Sequence, residues 1–89
     1  MDPLRDLTHL AFLRAKYRKL WYDSIIGSHE HRAYRIIWGT LNDAPTLAIA
    51  MVFLRPFVHD SRDRLYGQAL SEIVMACREI GVLPSAVTP

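Results

Sequence analysis

Residues 61–70 read SRDRLYGQAL and set Arg62, Arg64 and Tyr66 close together. Arg62 and Tyr66 are four apart, the spacing that puts two side chains on one helix face. Such a face offers guanidinium forks beside a phenol. Arginine stays charged and binds phosphate bidentately. RNA can be cut without a metal or a protein nucleophile, because its own 2′-hydroxyl attacks the adjacent phosphate. The protein must then align the strand, stabilise the charged phosphorane and move two protons. A free phenol has a pKa of about 10, so neighbouring cations must lower it before it acts as a base. The plain alternative is a charged helix start, with the arginines in solvent and the tyrosine on the core edge.

Other cations extend the pattern. The stretch RAKYRK, residues 14–19, holds Arg14, Lys16, Arg18 and Lys19 around one tyrosine with no acid, and Arg35 and Arg55 follow. Cations neutralise phosphates and rings stack on bases, so this interleaving suits an RNA-binding surface. The same residues also suit a solvated helix face. Metal chemistry finds little support: His29 and His31 flank Glu30 on an expected turn, and no cysteine or acid cluster completes a ligand set. No metal and no cofactor is expected. The four glycines are isolated, so there is no phosphate-cradling loop, and no serine sits in a nucleophile elbow. Asp60 and Asp63, flanked by arginines, read as a helix cap and a local ion pair.

The elements that must position these residues come next. With 89 residues, 51% apolar and 22% charged, the chain is sized for one domain, expected over 1–83 with a loose tail at 84–89. Asp2 and Pro3 suit a helix start, and Leu4, Leu7, Leu10 and Leu13 keep helical spacing, which predicts a helix over 3–16. Trp21, Tyr22, Ile25 and Ile26 favour a strand at 20–27. Tyr34, Ile36, Trp38 and Thr40 alternate as a half-buried strand over 32–41 does, and the apolar run at 46–55 reads as a buried strand. A last helix follows a cap at Asp60 or Ser61, carries Leu65, Ala69, Ile73, Cys77 and Ile80, and stops at Gly81. The expected class is therefore α+β: an N-terminal helix, a three-stranded antiparallel meander and a C-terminal helix. An all-α chain is the alternative, since the alanines and methionine of TLAIAMVFL suit a helix.

Location follows from the same residues. A single cysteine, Cys77, allows no internal disulfide and reads as a small core residue in a reducing compartment. No run is long enough to span a bilayer, and acids stand where an export signal carries lysines. The expectation is a cytoplasmic protein with no membrane partner.

The order of pieces resembles the RelE/ParE toxins of bacterial toxin–antitoxin systems. KLWYDSIIG, HRAYRIIWGTLNDAPTLAIAMVFLRPF and SRDRLYGQAL carry the likeness, over about residues 19–80. Tyr34, Arg35, Ile36 and Trp38 match the family's second strand pattern, and FLRPFV looks like the strand end of its HigB-like branch. The resemblance implies a curved antiparallel sheet and a ribosome-dependent mRNA endonuclease working without metal. It makes mRNA on the ribosome and a cognate antitoxin the partners. Tyr66 becomes the base or stacking residue, Arg62 or Arg64 the phosphorane stabiliser, and Arg55 with Arg14, Lys16, Arg18, Lys19 and Arg35 the RNA grip. The chain departs from the family in having room for about one helix before the sheet, HDSRD where the HigB-like branch has a lysine pair, and a net charge of only +2.

Two readings stand beside the endonuclease. One is a non-enzymatic interaction module or inhibitor of phage or plasmid type. It would bind a host protein or nucleic-acid complex, with Trp21, Tyr22 and Trp38 as anchors. The other is an all-helical homodimer that binds DNA through RAKYRK.

Overall fold

The apolar stripe of the first segment does not end at residue 16. Leu10, Leu13 and Tyr17 are buried on one face, and Leu20 packs against the same core. The first helix accordingly runs on as α1 (Pro3–Asp23) in the computed structural model, which describes residues 3–60 and 63–81. Three more helices follow: α2 (His29–Asp43), α3 (Leu47–Asp60) and α4 (Arg64–Glu79). There is no strand among the described residues. The expected α+β meander over 20–27, 32–41 and 46–55 is therefore replaced by the all-α alternative.

The reason is visible in each segment. In α2 the residues that reach the core are Ala33, Ile37 and Leu41, one helical turn apart, while Tyr34, Ile36 and Trp38 flank them half-buried. Two periods are superimposed there, and burial of the four-residue set decides. Ser28, in a stretch expected to be a plain turn, caps α2: its hydroxyl accepts from the His31 N–H at 3.1 Å. In the apolar run Leu47, Ala50, Met51 and Leu54 form the buried stripe of α3, and the Thr46 hydroxyl accepts from the Ile49 N–H. Pro56 lies within α3 and removes the N–H that Val52's carbonyl would take. The cap of α4 is Asp63, whose side chain accepts from the Leu65 N–H at 2.9 Å. The expected cap residues Asp2 and Ser61, the side chain of Asp60 and the tail at 84–89 lie outside the described residues.

Short connections make the chain run up and down. α1 pairs with α2 and α3 with α4, and one core joins the two hairpins through Leu10, Ile37, Leu41, Leu54 and Ile73. Contacts at the two ends fix the directions. His29 Nε2 lies 3.5 Å from Asp63 Oδ2, so α2 and α4 start at the same end. Arg5 donates to the Glu79 carbonyl at the other.

Two side chains of α1 hold the α2–α3 turn. Arg14 donates from Nε to the Leu41 carbonyl at 2.9 Å and from Nη2 to the Ala44 carbonyl at 2.8 Å. These carbonyls end α2 and have no helical partner of their own. Asp6, only 6% exposed, accepts the Leu47 N–H at 3.0 Å and so caps α3 from 41 residues away. A cation at the end of one helix and an acid at the start of the next also match both helix dipoles.

Replacing the buried acceptor tests this clamp. Asp6→Ala should lose about 2 kcal/mol by leaving the Leu47 N–H unpaired, which lowers the melting temperature by roughly 10 °C. Asp6→Asn keeps an acceptor and should lose much less. Equal losses in thermal unfolding would show that the cap is not what Asp6 contributes.

Candidate functional site

Charge is unevenly divided between the two ends of the bundle. At the end that carries the α1–α2 turn and the start of α4, the described side chains include Arg18, Lys19, Arg32, Arg35, Arg55 and Arg64. Asp23, Glu30 and Asp63 are the acids there. At the other end Arg5, Arg14 and Arg78 stand with Asp6, Asp43 and Glu79. The first end is thus a basic pole on a body of 40 × 25 × 18 Å. Helix ends explain the clustering: Arg18 and Lys19 lie in the last turns of α1, Arg32 and Arg35 in the first turns of α2, and Arg64 opens α4.

The pole has an apolar tip. Ile25 and Ile26, in the α1–α2 turn, are 79% and 85% exposed, and Tyr22 beside them is 63% exposed. The turn is nonetheless well held. Trp21 Nε1 donates to His31 Nε2 at 3.1 Å, and Ser24 Oγ donates to the Trp21 carbonyl at 2.6 Å. His31 Nδ1 lies 3.0 Å from Ser24 Oγ. An imidazole accepting at Nε2 carries its proton on Nδ1, so the chain closes with Nδ1–H donating to Ser24. Ser28 donates to the Ile25 carbonyl from its backbone N–H and its hydroxyl. Gly27, at φ +90°, supplies the left-handed residue the turn needs. Beneath it Trp21 stacks on Trp38 at 5.3 Å, and the Arg18 guanidinium lies 5.5 Å over the Tyr22 ring.

The cations expected to grip RNA separate into two groups. Arg18, Lys19, Arg35 and Arg55 belong to the pole. Arg14 does not, being spent on the carbonyls of α2. Lys16 pairs with Glu72 Oε2 at 2.6 Å across the α1–α4 groove, where the Tyr17 hydroxyl donates to Glu72 Oε1. Lys19 also pairs with Asp23 at 3.0 Å. The expected anchors Trp21 and Trp38 are half-buried against each other, which leaves Tyr22 as the exposed ring.

The residues expected to do catalysis divide further. Arg62 lies outside the described residues. Arg64 is exposed at the start of α4, while Tyr66 is 5% exposed and stacks on Phe57 at 5.7 Å. Burial, and then the charge of Asp63, push the Tyr66 phenol above its ordinary value, against a smaller opposing pull from Arg32. A general base needs the opposite shift and an open path to the substrate. Tyr66 therefore sits as a core-edge residue. Among the described residues no group of three or more His, Cys, Asp or Glu could hold a metal. Cys77 is fully buried and its thiol is raised by burial and by the charge of Asp6, which suits packing rather than reaction.

Sequence reasoning missed Ile25 and Ile26 as surface residues. The two isoleucines read as strand formers, and only their place before Gly27 hinted at a turn. No family model, no curated protein and no solved structure matches the chain. The likeness to RelE/ParE toxins rests on its short motifs alone.

The raised groups set an alkaline limit. Tyr17 is raised most, by burial and then by its bond to Glu72. Folded Cys77, Tyr17 and Tyr66 keep protons that the unfolded chain releases above their ordinary values of 9.0 and 10.0. Their contribution to stability is therefore intact below these values and is lost as pH rises through them. Urea unfolding from about pH 8 to about pH 11 should show a falling midpoint, and Tyr17→Phe should fall less steeply. Parallel curves for the two proteins would remove Tyr17 from that role.

Proposed function

We propose that this domain is a non-enzymatic interaction module that binds a polyanionic surface through its basic pole. The single observation behind this reading is the gathering, among the described side chains, of six cations against three acids at one end, around the exposed Tyr22, Ile25 and Ile26. A patch of one sign raises the local concentration of an oppositely charged partner and speeds encounter. Rigidity adds to this, since a turn already held by Ser24, Ser28 and His31 loses little freedom on binding.

The endonuclease reading depended on Tyr66 as base or stacking residue. With that ring packed on Phe57 and its proton held more tightly, Tyr66 is poorly placed for that task. Binding without reaction accounts for the same cations more simply.

Heparin affinity and salt elution test the proposal. Arg18→Glu with Arg35→Glu should elute at clearly lower salt than the wild type, because fewer counterions are released on binding. Arg5→Glu with Arg78→Glu, at the opposite end, makes the same change in net charge and should shift elution much less. Equal shifts would mean that net charge alone, and not the pole, governs binding.

A further inference from the structure

We infer that the polyanionic surface is the headgroup layer of an anionic bilayer, with Ile25 and Ile26 entering the acyl boundary between the pole's cations. This deepens the reading above and rests on it.

The occupant follows from what the tip offers. Phosphates and base edges have no use for two adjacent aliphatic side chains; bases stack on planar rings. The rings exposed at this end are Tyr22, which carries Arg18 over it at 5.5 Å, and Phe57, which stacks on Tyr66. A nucleic acid would use the cations and leave the isoleucines in water. A folded protein partner fits poorly for another reason. A standard interface takes about 800 Å² from each side, and two isoleucines and a tyrosine on a narrow convex end present much less. A bilayer has no such threshold, because apolar insertion and headgroup attraction add side chain by side chain.

The depths agree as well. Arg18 and Lys19 stand five or six residues before Ser24, and Arg32 and Arg35 stand four to seven after Ser28. At 1.5 Å per residue these cations sit roughly 5–10 Å behind the tip. Interfacial apolar groups enter a membrane to about that depth, which leaves the cations among the phosphates. Asp23, Glu30 and Asp63 share this end. Lys19 engages Asp23 at 3.0 Å, and His29 Nε2 lies 3.2 Å from Glu30 and 3.5 Å from Asp63. No helix among the described residues is long and apolar enough to cross a membrane. Lying on a membrane is a separate property from spanning it, and the proposal departs from the expectation of no membrane partner, which rested on the lack of a spanning run.

Flotation with vesicles of phosphatidylcholine alone, or with about a third phosphatidylserine, tests this. The full chain should float with the anionic vesicles and much less with the neutral ones. Ile25→Ser with Ile26→Ser should lower partitioning about tenfold or more, with an unchanged helical spectrum and unchanged heparin elution. Arg18→Glu with Arg35→Glu should lower both vesicle and heparin binding. Vesicle binding that ignores the isoleucines would overturn the insertion. Heparin and single-stranded RNA binding without vesicle binding would make a nucleic acid the partner and overturn the lipid reading while sparing the pole. Loss of heparin binding in the wild type would overturn both.

Discussion

The clamp that α1 places on the α2–α3 turn is the contact on which the arrangement depends. Two helices that meet end to start leave carbonyls on one side and N–H groups on the other without partners. In this chain Ala44, Pro45 and Thr46 are too few to satisfy them. Arg14 and Asp6, two turns apart on the buried side of α1 with Leu10 between, do so from outside the turn. All three hydrogen bonds involve a charged group, which makes them stronger than neutral ones. Because they tie the first hairpin to the second, they also set which helix ends lie together.

That consequence reaches the surface. Once the α2–α3 turn is held at one end, the α1–α2 turn and the start of α4 must share the other. Cations that are far apart in sequence, Arg18, Lys19, Arg35 and Arg64, then occupy one pole. The Trp21–His31–Ser24 chain stiffens the turn between α1 and α2, so Ile25 and Ile26 stay exposed without collapsing onto the core. Exposed adjacent isoleucines are unfavourable in water, and a held turn is what keeps them presented.

Legibility in the sequence differed from element to element. The α4 stripe through Ala69, Ile73, Cys77 and Ile80 was clear because nothing competed with its helical spacing. The start of α1 was clear for the same reason, though not its end, since the aromatic and β-branched run from Trp21 to Ile26 imitates a strand. In α2 the alternation of Tyr34, Ile36 and Trp38 hid the Ala33–Ile37–Leu41 stripe, because the flanking aromatics pack on the sides of the helix and so look half-buried at every second position. α3 could not be settled by periodicity, as its run is apolar nearly all round. The cations were legible as residues but not divided: spacing cannot tell Arg14, turned inward to carbonyls, from Arg18, exposed four residues later.

By itself, then, the sequence determined the buried lone cysteine, the helical first and last segments and an excess of cations with aromatics among them. Each of these depends on composition or on spacing within one segment. The tertiary structure alone decided that the middle is helical, that Tyr66 belongs to the core edge, and that the cations gather at an isoleucine-tipped end. These depend on which faces of distant segments are buried together, and a burial shared between Ala33, Leu47 and Ile73 is a property of the packed chain, not of any one stretch of it.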